Sequence, residues 1–338
     1  MFDHIFESSK TITINKEKGL PMQTRPLGRT DMQITPIGLG AWAIGGNRGE
    51  FSWGPQDDQT SIATIKRALS LGINWIDTAP IYGLGHSEEI VGQAIKGCEK
   101  PYIFTKCSLL WDNEGRTSHS LRAASIEREV EASLRRLDIE TIDLYQIHWP
   151  DPDPEIEEGW SKLVDLKRQG KVRHIGVSNF NVEQLRRAEK IAPVETLQPP
   201  YSLIHPHAEK EILPYCHEYD IGVIVYSPMA SGLLSGSMTK ERIEHMPADD
   251  WRKKDPEFHE PRLPRNLELA NLLGEIGYPH NVPTGVVAIA WTLRNPAVTG
   301  AIIGSRSPAQ IEEMIIASEF RLSNSEVRQI EAFLAEHP

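Results

Sequence analysis

Asp77, Tyr82, Lys106 and His148 are the side chains of this sequence best suited to chemistry, because each lies at or just past the end of a short apolar run. The runs are INWID (73–77), YIFTK (102–106) and IDLYQIH (142–148), each followed by polar or Pro-containing sequence. Such a placement predicts one polar site gathered from several strand ends. A free phenol has a pKa of about 10 and is a poor acid at neutral pH, whereas a neighbouring ammonium stabilises the phenolate. The expectation is that Lys106 lowers the Tyr82 pKa towards neutrality, which takes roughly 4 kcal/mol of differential interaction, and that Asp77 keeps Lys106 charged and in place. His148, as a neutral hydrogen-bond donor, would orient a substrate carbonyl. Together these groups read as a carbonyl-reducing set.

The elements that must position them follow from the pattern of apolar residues. Eight strand candidates occur in order: IGLGAW from Ile37, INWID from Ile73, YIFTK from Tyr102, IDLYQIH from Ile142, VRHIGVS from Val172, ETLQ from Glu195, GVIVYS from Gly222 and TGAII from Thr299. Most are short and almost wholly apolar, as parallel strands covered on both faces should be. Amphipathic stretches lie between them. In 58–72, Ile62, Ile65, Ala68 and Leu69 share one helical face and Gly72 is a stop; in 125–138, Ile126, Val130, Leu134 and Leu137 form a stripe. Strand then helix, repeated about eight times, predicts an α/β fold of the (β/α)8 TIM-barrel type, in which catalytic side chains gather at the C-terminal strand ends. Before the first strand, Thr24 to Pro36 has extended runs around Gly28-Arg29-Thr30-Asp31, predicting an N-terminal β-hairpin that caps the barrel floor. The charged, Pro-rich insertion from Ser237 to about Pro264 is too polar for core and too long for an ordinary barrel loop.

Composition narrows the partners. Lys and Arg total 36 against 47 Asp and Glu, a formal charge of -11, with no long basic run, which argues against nucleic acid and anionic membrane. Cys98, Cys107 and Cys216 are scattered without CxxC spacing, and no apolar leader precedes them, so a cytoplasmic location is expected. No apolar run approaches the ~18 residues of a membrane helix. Residues 1–22 are expected to be a flexible extension, with 23–338 a single barrel domain; the oligomeric state is left open.

The run ALSLGINWIDTAPIYGLGHSEEIVGQAI, with DLYQIHWPDP, HIGVSNF and YSPMASGLLSG, closely resembles the aldo/keto reductase superfamily from about Thr24 to about Leu334. The short C-terminus and MTKERIEHMPADDWRKKDPEFHEPR look most like its bacterial branch related to the potassium-channel β subunit. The resemblance implies Tyr82 as general acid, Lys106 and Asp77 as its tuning partners, and His148 as the carbonyl-orienting residue. It also implies a nicotinamide cofactor, with Ser178, Asn179 and Gln198 at its carboxamide, Tyr226 against its ring, and Ser227, Met229, Ser231 and Leu233 along its pyrophosphate. The insertion would then fold near the cofactor as a clamp; a surface excursion without a role is the competing reading.

Barrels commonly bind phosphate in the loops after their last two strands. Here the last strand runs through Gly304 into SRSPAQIEEM, where Ser307-Pro308 is a good N-cap with proline at the first helical position. Arg306 offers a planar fork, so Arg306, Ser305 and Gln310 are assigned to the 2'-phosphate of NADPH, in preference to NADH; the resemblance implies Glu313 beside the adenosine. Met314 departs from the family pattern, in which an adenine-contacting Asn is common.

Three features compete for attention. Gly38, Gly40 and Ala43 fit GxGxxA, but GGNRGEFSWG follows where a dinucleotide fingerprint needs a helix; close packing in the first strand is the better account. His174, His205, His207 and His217 follow no strand-end scheme, so no metal site is assigned. Trp42, Trp53, Trp111 and Trp149 fall at the predicted mouth, with Trp42, Trp53 and Trp149 assigned to the substrate pocket. The expected function is NADPH-dependent reduction of aldehydes, ketones or open-chain sugars. Two alternatives stay open: an NADP(H)-sensing regulatory subunit, and an NADP+-dependent polyol or inositol dehydrogenase running in reverse.

Overall fold

The computed structural model describes residues 22–49, 52–247 and 250–337, so most of the expected N-terminal extension lies outside the described residues. Met22 is half-buried against the core beside Gly72. The chain then forms a hairpin of β1 (Arg25–Pro26) and β2 (Gln33–Ile34), followed by β3 (Ile37–Gly40), β4 (Trp75–Asp77) and β5 (Tyr102–Cys107). A second hairpin, β6 (Leu109–Trp111) and β7 (Thr117–His119), precedes β8 (Ile142–Ile147), β9 (Val172–Ser178), β10 (Thr196–Gln198), β11 (Gly222–Val225) and β12 (Val298–Gly304). The eight strands β3, β4, β5, β8, β9, β10, β11 and β12 pair in parallel in that order, and β12 pairs back onto β3 to close the barrel. This is the (β/α)8 TIM barrel expected from the alternation.

The helices are α1 (Asp58–Ser70), α2 (His86–Ile95), α3 (Ala123–Leu137), α4 (Ile156–Arg168), α5 (Val182–Glu189), α6 (Ile212–Glu218), α7 (Lys240–Glu244), α8 (Arg262–Gly277), α9 (Thr284–Leu293), α10 (Pro308–Met314) and α11 (Asn324–Glu336). Local chemistry sets their limits. Asp57 caps α1 by accepting from the Thr60 N–H, and Gly72, at φ +94°, turns the chain after it. On α3 the expected stripe faces inward, with Ile126, Val130 and Leu137 buried and Leu134 half-buried against the core.

The barrel lumen is closed at its floor by the first hairpin. Leu27, Met32 and Ile34 meet Trp75, Phe104, Leu144, Ile224 and Ile302 from the strands, forming an apolar cluster distinct from the core between strands and helices. Gly38 is where that packing is tightest: a Cβ there would fall 2.2 Å from the Trp75 ring, so the glycine serves the lumen rather than a phosphate loop. Charge pins the hairpin from below. His174 shares its two ring nitrogens between Glu195 at 2.9 Å and Asp31 at 2.7 Å. Burial opposes the charged imidazole, yet these two hydrogen bonds outweigh it and raise the His174 pKa.

The insertion, expected to be too polar for core, nonetheless buries Met238, Ile243, Met246 and Phe258, which anchors α7 and the short turns at Trp251–Lys254 and Pro256–Phe258. Among the described residues no helix is long and apolar enough to cross a membrane.

Candidate active site

Strand ends bring the four expected side chains together. Asp77 ends β4, Lys106 sits near the end of β5, His148 follows β8, and Tyr82 lies in the turn between β4 and α2. The fully buried Lys106 donates from Nζ to Asp77 Oδ1 at 2.6 Å and to the Thr78 carbonyl at 3.0 Å. The same Nζ lies 5.3 Å from the centre of the Tyr82 ring, and His148 meets that ring edge-on at 5.8 Å between centroids. The other Asp77 oxygen, Oδ2, accepts from Gln198 Nε2 at 2.8 Å and from Gln146 Nε2 at 3.5 Å. Gln146 is a participant that its place inside an apolar strand had hidden.

The acidity of Tyr82 runs opposite to expectation. Burial pushes the phenol well above its ordinary value, and the Asp77 carboxylate adds to the rise. The reason is local neutralisation: Lys106 is matched by a carboxylate at 2.6 Å, so little net positive charge faces the phenol and desolvation wins. Burial also lowers the Lys106 pKa, against the opposing pull of Asp77. His148 is held well below its usual range by burial, with Lys106 and His119 contributing, which keeps the imidazole neutral as expected.

Beside this group runs a bonded polar rim. Tyr226 donates its hydroxyl to Asn179 Oδ1 at 2.8 Å, and Asn179 Nδ2 donates to the His148 carbonyl at 2.9 Å. Ser178 donates to the Gln198 carbonyl at 2.8 Å. Asn179 adopts φ +63°, a left-handed conformation that Asn tolerates better than most residues. Ser178, Asn179, Gln198 and Tyr226 thus form one connected edge reaching Asp77 through Gln198.

The segment after β11 curls tightly. Ser227, Ala230, Ser231 and Gly232 all have positive φ, and the curl is closed by the Ala230, Gly232 and Leu234 amides donating to the Ser227 and Met229 carbonyls. Met229 and Ser231 are half-buried, whereas Leu233 points its side chain into the core and offers only its backbone. Gly304, the last residue of β12, is exposed, and Ser305 after it is buried, its hydroxyl donating to the Ser307 carbonyl at 2.8 Å. Gln310 accepts from the Arg306 N–H at 2.8 Å, and Glu313 is exposed on α10. Arg306 reaches across to residues 53–56: its Nε donates to Gln56 Oε1 at 2.9 Å, and its Nη atoms donate to the carbonyls of Trp53 and Pro55.

An aromatic wall stands against Tyr82. Trp42 stacks near the phenol at 6.0 Å between centroids, Trp251 stacks on Trp42 at 5.6 Å, and Trp53 meets both edge-on at 5.2 and 5.7 Å. Trp251 comes from the insertion and was invisible to sequence reasoning, because nothing in DDWRKK marks where that segment docks. Trp149 keeps 42% of its surface exposed and is tied through its backbone to Ser108. Trp111 lies on β6, with the Arg136 guanidinium 5.9 Å from its ring. The hairpin carrying it was also missed, although the turn around Asp112 to Arg116 is a readable signal. Among the described residues no three His, Cys, Asp or Glu side chains are grouped to hold a metal ion.

Comparison with known proteins bears on the family and the fold. Residues 36–335 match the model of the aldo/keto reductase family. Aldo-keto reductase YhdN of Bacillus subtilis is 40% identical over 317 residues, covering 93% of this chain and 94% of its own. The NADH-specific methylglyoxal reductase of Escherichia coli is 34% identical over 322 residues, covering 90% and 96%. Among solved structures, the glycerol dehydrogenase of Gluconobacter oxydans superposes with a TM-score of 0.85 at 38% identity, covering 94% of this chain and 97% of its own. A closed parallel barrel with a buried Lys–Asp pair beside a tyrosine, matched along nearly its whole length, identifies the chain as a member of the aldo/keto reductase family and an oxidoreductase.

Proposed function

We propose that the chain is an NADPH-dependent reductase of aldehydes, ketones or open-chain sugars, with Tyr82 as the proton donor. The observation that carries this reading is the Tyr82 phenol set beside the Lys106 ammonium and a neutral His148 at one strand-end cup. Because burial holds the phenol protonated, Tyr82 meets a substrate carbonyl with its proton in place. His148, neutral, donates to the carbonyl oxygen and fixes its approach. As Tyr82 gives up its proton to the developing alkoxide, the phenolate gains a charge inside a poorly solvated cup, and Lys106 supplies the nearest compensating cation. Asp77 holds that cation at one oxygen and is itself held by Gln198 at the other.

A bound nicotinamide cofactor supplies the hydride in this chemistry. The residues present fit such a group. Ser178, Asn179, Gln198 and Tyr226 would hold the carboxamide and ring, and the tightly curled segment carrying Ser227, Met229, Ser231 and Leu233 would lie along the pyrophosphate. Gly304, Ser305, Arg306, Gln310 and Glu313 would receive the adenosine end, with Arg306 favouring NADPH over NADH through the 2'-phosphate. Trp42 and Trp53 would support the apolar part of the substrate.

Tyr82→Phe is expected to abolish carbonyl reduction, followed by the absorbance of the reduced nicotinamide, while NADPH binding by fluorescence titration stays near wild type. Retained turnover would remove Tyr82 from the mechanism. A second reading, oxidation of polyols with NADP+, draws support from the glycerol dehydrogenase likeness. A substrate panel run in both directions with each cofactor separates the two.

A further inference from the structure

We propose that the loop of residues 53–56 competes with a cofactor's 2'-phosphate for Arg306, which makes Gln56 a determinant of the choice between NADPH and NADH. The inference rests on the reading of Arg306 as the phosphate-binding residue given above. A guanidinium has five N–H donors in a fixed fork. In this structure donors on all three nitrogens of Arg306 are committed to the loop, through Nε to Gln56 Oε1 at 2.9 Å, Nη1 to the Trp53 carbonyl at 3.2 Å and Nη2 to the Pro55 carbonyl. Gln56 closes the contact from its own side, donating from Nε2 to the Arg306 carbonyl at 3.0 Å. A phosphate that takes the fork bidentately displaces some of these acceptors. NADH has no 2'-phosphate and leaves them in place.

The surroundings suit an incoming anion. A cleft of about 300 Å³ next to the loop is lined by Arg242, Arg252 and Arg306, with Asp250 as a carboxylate within it. Asp250 is paired with Arg252 at 2.6 Å, so the other two guanidinium groups set the local sign of charge. The loop also reaches the chemistry. Trp53 carries the Arg252 guanidinium 4.7 Å over its ring and packs edge-on against Trp42, which stacks beside Tyr82. Release of the loop at Arg306 therefore loosens the wall of the substrate cup, and the cofactor's phosphate is felt by the substrate.

The test uses the full chain. In Gln56→Ala, NADPH binding by fluorescence titration should tighten by about three- to tenfold, the worth of a competing hydrogen bond, while NADH binding is unchanged. The KM for one carbonyl substrate should differ between the two cofactors in the wild type and converge in Gln56→Ala. Weaker NADPH binding in Gln56→Ala, or an equal change for both cofactors, overturns the competition. Equal wild-type KM values overturn the link to the aromatic wall. Arg306→Ala is the separate control: if it leaves the NADPH preference intact, the assignment of Arg306 itself fails, whatever Gln56→Ala does.

Discussion

A lysine with no exposed surface is costly unless its charge is met, and Lys106 is met by Asp77 on one side and the Thr78 carbonyl on another. Lys106→Met should therefore do two kinds of damage. It strands the Asp77 carboxylate in a buried site, which costs roughly 3–5 kcal/mol of stability, and in the proposed mechanism it removes the cation that offsets a phenolate. Chemical denaturation should show the first loss and steady-state kinetics a fall in kcat of at least about a hundredfold for the second. At this scale the sequence was legible in part. The types and spacing of Asp77, Tyr82, Lys106 and His148 could be read because strand ends announce themselves through apolar runs. The direction of the Tyr82 pKa could not, since it depends on how closely Asp77 neutralises Lys106 and on how much water the packing excludes.

Between elements, the buried Glu129 of α3 makes a pH-sensitive contact. Its carboxylate accepts from the Ser108 N–H at 2.9 Å and from the Ser125 hydroxyl at 3.1 Å, tying α3 to the chain just beyond β5. Burial raises its pKa from 4.5 to about 7, against these hydrogen bonds. A carboxyl that stays protonated longer when folded stabilises the fold below the unfolded value and loses that contribution as pH rises through the folded one. Stability should fall between about pH 4.5 and pH 7 and then level off, by an amount on the order of 3 kcal/mol. Glu129→Gln should flatten that stretch of the profile in denaturant titrations across pH; an unchanged slope would assign the pH dependence elsewhere. Helical stripes such as that of α3 were legible because burial on one face imposes a 3.6-residue period. The insertion was not, because its buried residues Met238, Ile243, Met246 and Phe258 follow no period and are held by loop packing.

For the molecule as a whole, the alternation of strand and helix led directly to the closed barrel, since a parallel strand needs a crossover and eight of them can close on themselves. The hairpin beneath it and its place at the barrel floor were legible from the sequence, but the side chains it sends into the lumen as a plug emerge only from three-dimensional packing. Met32 is fully buried in that plug. Met32→Ala should cost about 2–5 kcal/mol of stability and leave kcat nearly unchanged, because the plug and the cup lie at opposite ends of the barrel. A large fall in kcat at full folding would show that the two ends communicate. With Leu27, Met32 and Ile34 filling one end, the cup is a vessel with a single door. Any two molecules that share it must queue at the same rim, and whichever settles deeper has to be the first to enter and the last to leave.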